Sequence, residues 1–209
     1  LALDPRAVEG ALTRYADFEA HATTALNTAS FSDGFFVRAA DGAEIAVPLH
    51  IVWIASGAPG TLAHPRAFVH AGRNARLQVI ETFVAAADGA YWVNPATEIV
   101  AEPGARVEHF QVQQQSLEAI HTGRVEMLAE RGAYISSISL SFGAALARND
   151  VGILLDDAGC ECALDGLYVV GRKQHVDHHT RIDHAKPNCN SHQLYKGVLD
   201  GESRGVFNG

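Results

Sequence analysis

The rhythm of apolar and polar residues changes near residue 30. Before it, Val8, Leu12, Tyr15 and Phe18 recur at roughly helical spacing, Asp4 stands where an N-cap belongs and Pro5 suits the first helical position. The pattern predicts a helical lead-in over residues 1–30. From Phe31 onward the period gives way to short aliphatic and β-branched runs broken by Gly, Asn and Asp, which is the pattern of strands and turns. Residues 31–209 are therefore expected to form one β core, with no second long helix.

A repeat runs through that core. A turn residue, a small residue, any residue and an aliphatic one recur as Gly42-Ala43-Glu44-Ile45, Asn74-Ala75-Arg76-Leu77, Gly104-Ala105-Arg106-Val107 and Gly132-Ala133-Tyr134-Ile135, with an echo at Gly159-Cys160-Glu161-Cys162. Successive copies are 32, 30, 28 and 27 residues apart. Such a period marks stacked units, none of which can bury its apolar face alone. Propeller blades are longer, ~40–50 residues, and carry Gly-His and Trp-Asp signatures that this chain lacks. The repeat predicts an all-β fold, a right-handed parallel β-helix, with Ala43, Ala75, Ala105 and Ala133 on stacked coils.

Within strands, alternation assigns faces. In Tyr134 to Phe142 the apolar set Ile138, Leu140 and Phe142 is expected to face the core, and Ser137, Ser139 and Ser141 to face water. In His175 to His184 the set Val176, His178, Thr180, Ile182 and His184 is expected inside, leaving His175, Asp177, His179, Arg181 and Asp183 as a polar outer row.

Composition narrows the function classes. The chain has 209 residues, 47% hydrophobic and 19% charged, enough for one folded domain. Its 16 Lys and Arg against 24 Asp and Glu give a net charge of −8, which argues against nucleic acid or anionic lipid as a partner. No apolar run approaches the ~20 residues of a membrane helix, and the first residues do not read as a signal peptide. Three cysteines, an odd number, point to a reducing compartment, and a cytoplasmic location is expected.

Candidate chemistry concentrates in HVDHHTRIDHAKPNCNSH, His175 to His192. His178 and His184 are roughly 20 Å apart along an extended strand, so they cannot share a metal. His184, Cys189 and His192 flank the Lys186-Pro187-Asn188 turn, and if folded together would suit zinc or iron with one open position. That trio is the basis of an alternative reading, a metal-dependent β-fold enzyme of cupin or β-helix type. Cys160 and Cys162 share a strand face with Leu164, Tyr168 and Val170, so core packing is weighed against a thiol relay. A carbohydrate-acting β-helix needs paired carboxylates, and the acids here are scattered. No nucleophile elbow, HExxH, phosphate loop or dinucleotide fingerprint is present.

The 35-residue block from His175 to Gly209, with ALNTASFSDGFFV, His64-Pro65-Arg66, NPATEIVAEPGARVEHFQVQ, Ser139-Leu140-Ser141-Phe142-Gly143 and Arg148-Asn149-Asp150, resembles the SufD side of the SufB/SufD family of iron–sulfur cluster assembly scaffolds. The resemblance implies a right-handed parallel β-helix and a non-enzymatic scaffold. Its implied partners are a SufB-like subunit and a SufC-like ATPase, with an iron–sulfur cluster carried transiently by the full complex. In the family, helical regions flank this core, and the Cys-x-His motif tied to cluster formation follows Arg-Gly-Val-Phe-Asn-Gly. Both are expected to lie outside these residues. No catalytic, cofactor or metal residue is therefore assigned, and the isolated chain is expected to hold no stable cluster. The resemblance also places a subunit contact near Asp183 and Leu194 to Phe207, where a homodimer or a SufB-like partner would dock.

Overall fold

The computed structural model describes residues 12–56 and 58–209. They form two parallel sheets that the chain visits in alternation. The first sheet contains β1 (Gly34–Ala39), β4 (Arg66–Ala71), β7 (Ala96–Ala101), β9 (Ile120–Ala129), β11 (Leu146–Leu155), β13 (His175–His184) and β15 (Arg204–Asn208), in that spatial order. Two short strands, β3 (Leu62–Ala63) and β6 (Trp92–Val93), extend it beside β9. The second sheet runs β2 (Leu49–Ala55), β5 (Arg76–Ala85), β8 (Arg106–Gln113), β10 (Tyr134–Ser141), β12 (Glu161–Val170) and β14 (Asn190–Leu199). Every pairing is parallel, and the result is a right-handed β-helix of about six turns.

The repeat sets the register of the stack. Glu44 bridges Arg76, and Arg76, Arg106, Tyr134, Glu161 and Asn190 then pair in sequence across neighbouring coils. The residue before each rung is the repeat's small residue, and Ala75, Ala105, Ala133 and Cys160 are completely buried at this corner. Just before them, Gly42, Asn74, Gly104, Gly132 and Gly159 have φ between 55° and 76°. The corner demands a left-handed residue, which Gly adopts without strain and Asn tolerates, followed by a side chain small enough for the closed corner. Asn188, φ 60°, and Cys189 repeat the device once more, so Cys189 is the last rung of the ladder begun at Ala43.

The lead-in departs from the expected helix. Asp4, Pro5 and Val8 lie outside the described residues. Leu12, Tyr15 and Phe18 lie in a series of turns, and the helix α1 covers Ala22–Ser30 instead. The cause is Glu98 on the outer face of β7. Its buried carboxylate accepts the backbone N–H groups of Thr13, Tyr15 and Ala16 at 2.7–2.9 Å and pairs with Arg66 at 3.0 Å. Amides committed to a carboxylate cannot close helical hydrogen bonds, and Thr13 at φ 69° is already left-handed. Helix α1 is fastened by Asn27, whose Nδ2 donates to the carbonyls of Pro65 and Asn94 and whose Oδ1 accepts from Arg66.

One face assignment is reversed. In β10, Ser137, Ser139 and Ser141 point into the coil and are at most 1% exposed, whereas Ile138 and Leu140 face outward and are half-buried. The serines join an interior that is already polar at their level. In β13 Val176 and His178 are fully buried as expected, but towards the end of the strand Thr180 and Ile182 are only half-buried and His184 is exposed; on the outer side Asp177 pairs with Arg148 and with His179.

Candidate functional site

The interior of the solenoid has two halves. Beside the small-residue corner it is apolar: Leu77, Val107, Ile135 and Cys162 stack on the second sheet, facing Val69, Ile99, Met127 and Ile153 on the first. Each such side chain contributes about 1.5–3 kcal/mol by leaving water. Further along the same strands the inward positions turn polar without becoming exposed.

Glu81 of β5 is the centre of the first polar group. Its carboxylate accepts from Trp53 Nε1 at 3.0 Å and Thr97 Oγ1 at 2.8 Å, and meets His109 Nε2 at 3.1 Å. The other nitrogen, His109 Nδ1, lies 3.0 Å from Ser137 Oγ, one rung on. Glu81, His109 and Ser137 are all at most 1% exposed, so the carboxylate's charge is compensated locally or not at all.

A second group crosses between the sheets. Gln113 donates to Gln115, whose Oε1 lies 2.8 Å from His121 Nδ1; Asn149 donates to Ser141, and Ser141 Oγ lies 3.3 Å from His178 Nε2. Gly123 leaves the room that lets Asn149, His121 and Gln111 crowd over its Cα, since an added Cβ would lie 2.7 Å from Asn149 Oδ1 and 2.9 Å from His121 Nε2. Burial pushes His121 down to about 3, helped by the neighbouring His178, and pushes His178 down to about 4, so both rings are neutral near pH 7. His178 stacks on Tyr168 and tilts against Tyr195. Those tyrosines lie over Gly197 and Gly166, their partners on the adjacent strand, and burial raises the Tyr195 hydroxyl to about 12.

Ser137, His109 and Glu81 reproduce the hydroxyl, imidazole and carboxylate sequence of a hydrolase triad, but a triad also needs an open side at which substrate meets the nucleophile. Ser137 is 1% exposed, and neither it nor His109 lines any of five surface recesses among the described residues. The arrangement satisfies buried polar atoms and orders neighbouring coils. The signal for it in the sequence is polar residues at matching positions of successive coils, His109 opposite Ser137 and Glu81 opposite Gln111 and then Ser139.

The residues singled out in the sequence fall elsewhere. Cys160 and Cys162 point inward and are at most 1% exposed; burial raises both thiols, Cys162 to about 11, which favours the unreactive protonated form. The thiols of Cys160 and Cys189 both donate to the Asp157 carbonyl, at 3.0 and 3.3 Å. His184 meets Ser191 Oγ at 3.0 Å, while His192 is exposed beside Ala163 on the outer face, so His184, Cys189 and His192 do not converge. Among the described residues no three His, Cys, Asp or Glu side chains are grouped so as to hold a metal ion.

The family described as SUF system FeS cluster assembly, SufBD core domain, matches residues 53–209. The iron–sulfur cluster assembly protein SufD of Escherichia coli is 26% identical over 171 residues, 80% of this chain and 40% of that protein. The chloroplastic protein ABCI7 of Arabidopsis thaliana is 24% identical over 193 residues, covering 88% of this chain and 40% of its own length. An iron–sulfur cluster assembly SufBD family protein of Synechocystis is 23% identical over 193 residues, with 88% and 43% covered. The chain thus spans about two fifths of the length of these relatives.

Proposed function

The chain belongs to the SufBD core family of SUF-system FeS cluster assembly proteins, and from that premise we propose that it acts as a non-catalytic scaffold in iron–sulfur cluster assembly. The observation that carries the reading is the coincidence of the matched region with the solenoid: residues 53–209 run from β2 to β15. The closed interior supports it further, because the most reactive-looking group, Ser137–His109–Glu81, is sealed from substrate. The metal-dependent enzyme reading has no such support, since its three ligands point to different places.

In this reading the scaffold works with a SufB-like subunit and a SufC-like ATPase, and the cluster is cargo of the complex. The described helix is too short and polar to cross a membrane, and a cytoplasmic setting is part of the same proposal. The partner surface is the outer face of β12 and β14, where Val169, Leu194 and Val198 stand 43%, 55% and 55% exposed. Exposed aliphatic residues grouped on one sheet face are the usual mark of a protein contact.

Co-expression with a SufB-like and a SufC-like partner tests the proposal. The complex should co-purify, and Val198→Asp should weaken it without changing the melting temperature of the isolated chain. Failure to co-purify with either partner, or stoichiometric tight zinc or iron on the chain alone, would contradict it.

A further inference from the structure

Cysteine occupies two neighbouring corners of the second sheet where the preceding coils carry alanine. Ala43, Ala75, Ala105 and Ala133 hold this position in turn, and Cys160 and Cys189 hold it in the next two coils. A methyl group therefore suffices to close the corner, and packing does not call for sulfur there. The two sulfurs share one small space. Both thiols donate to a single acceptor, the Asp157 carbonyl, at 3.0 and 3.3 Å. Burial, and after it the neighbouring Cys189 thiol, raise Cys160 above its ordinary value.

We propose that Cys160 and Cys189 form a reversible disulfide that staples β14 to β12, with Cys189 as the thiol that meets the oxidant. The strands are already side by side at this point, since the Asn190 N–H donates to the Cys160 carbonyl at 2.9 Å. Neighbouring strands lie about 4.8 Å apart, inside the ~4.4–6.8 Å between Cα atoms that a disulfide spans. Cys162 is less well placed: it faces Ser191, and two residues add about 7 Å along the strand, which makes the diagonal to Cys189 too long. Cys160 is completely buried and Cys189 only partly, so an external reagent reaches Cys189 first. Its thiolate attacks a low-molecular-weight disulfide such as oxidised glutathione, whose S–S bond breaks and releases one glutathione thiolate. Cys160 then gives up its proton and attacks the Cys189 sulfur, and the second glutathione leaves as a thiolate. Two protein thiols are oxidised, and one external disulfide is reduced to two thiols. The raised Cys160 thiol ionises rarely, but a high-pKa thiolate is a strong nucleophile and its target is held beside it. The bond fastens β14, exposed along most of its length and paired in its sheet only with β12 among the described residues.

Incubation of the folded chain with oxidised glutathione, followed by acid quenching, alkylation and peptide mapping without reductant, tests the site. The parent should yield one linked peptide pair, Cys160 to Cys189, which dithiothreitol opens, and its oxidised form should melt about 4 °C or more above the reduced form. Cys160→Ala, which restores the residue of the earlier corners, should leave Cys189 carrying one glutathionyl group. Cys162→Val, which matches Val107 in the same row, should behave as the parent does. A parent that keeps glutathione on Cys189, a link through Cys162, three thiols that all remain open to alkylation, or an oxidised form that melts no higher would each overturn the proposal.

Discussion

The two halves of the solenoid interior are equally dry and differently held. Ile99 and Ile135 on one side and His109 and His121 on the other are all fully buried. In the apolar half, neighbours touch without direction, and a coil could slide or repack at modest cost. In the polar half each contact has a donor and an acceptor at a fixed place: Glu81 meets Trp53, Thr97 and His109, which come from three different strands. Apolar stacking supplies the bulk of the burial energy, and the polar file specifies which coil meets which. A β-helix needs both, because its rungs are otherwise nearly interchangeable.

The sharpest way to break this contrast is Glu81→Ala. The buried Thr97 and His109 and the half-buried Trp53 lose their acceptor at once, and stability should fall by about 3–5 kcal/mol, as when one member of a buried pair is removed. Urea unfolding checks it. A loss below about 1 kcal/mol would mean that water or a neighbour replaces the carboxylate.

Acid should separate the halves next. His121 and His178 have folded pKa values near 3 and 4, below the ordinary value of 6.5, so the unfolded chain binds more protons than the folded one between those limits. Their contribution is complete above about pH 6.5 and is lost as pH falls, down to about 4 for His178 and about 3 for His121, at a rate on the order of 1 kcal/mol per pH unit for each. His178→Phe, which keeps the stacking on Tyr168 and Tyr195, should flatten this slope in urea melts taken from pH 7 to pH 4. An unchanged slope would show that the ring already titrates near its ordinary value.

The smallest structural effect belongs to the apolar half. Ile99→Val removes one methylene and should cost about 0.5–1.5 kcal/mol, with no change in pH dependence. A cost as large as that of Glu81→Ala would abolish the distinction drawn between the halves.

The coil corners were legible in the sequence because their cause is local. A left-handed residue followed by a small one is required wherever the chain turns, and Gly104-Ala105 or Gly132-Ala133 announces it within two residues. Gly159-Cys160 is a weaker echo because Cys replaces Ala, and Asn188-Cys189 escapes notice because it departs from Gly-Ala at both positions, whereas Asn74-Ala75 departs at one. The serine row of β10 was misread for a different reason. Alternation separates Ser137 from Ile138 but does not say which side is inside, and the answer lies in His109 and Glu81, 28 and 56 residues earlier. The lead-in does contain a helix, but at Ala22–Ser30 and not where the periodic residues stand. Leu12, Tyr15 and Phe18 satisfy a helical period, yet the amides around Tyr15 are claimed by Glu98, 83 residues away. Of the candidate site, the inward turn of Cys160, Cys162 and His178 could be read from strand parity, whereas the polar file could not, since it exists only once coils stack.

The central claim is that the interior of this solenoid holds the scaffold together and performs no chemistry of its own. Ser137→Ala tests it most directly, because it removes the one hydroxyl placed as a nucleophile while changing a single small side chain. In the complex proposed above, with a SufB-like and a SufC-like partner, iron–sulfur cluster formation per folded complex should equal that of the parent. Cluster formation that collapses while folding and partner binding persist would contradict the account and place reactive chemistry inside the coil.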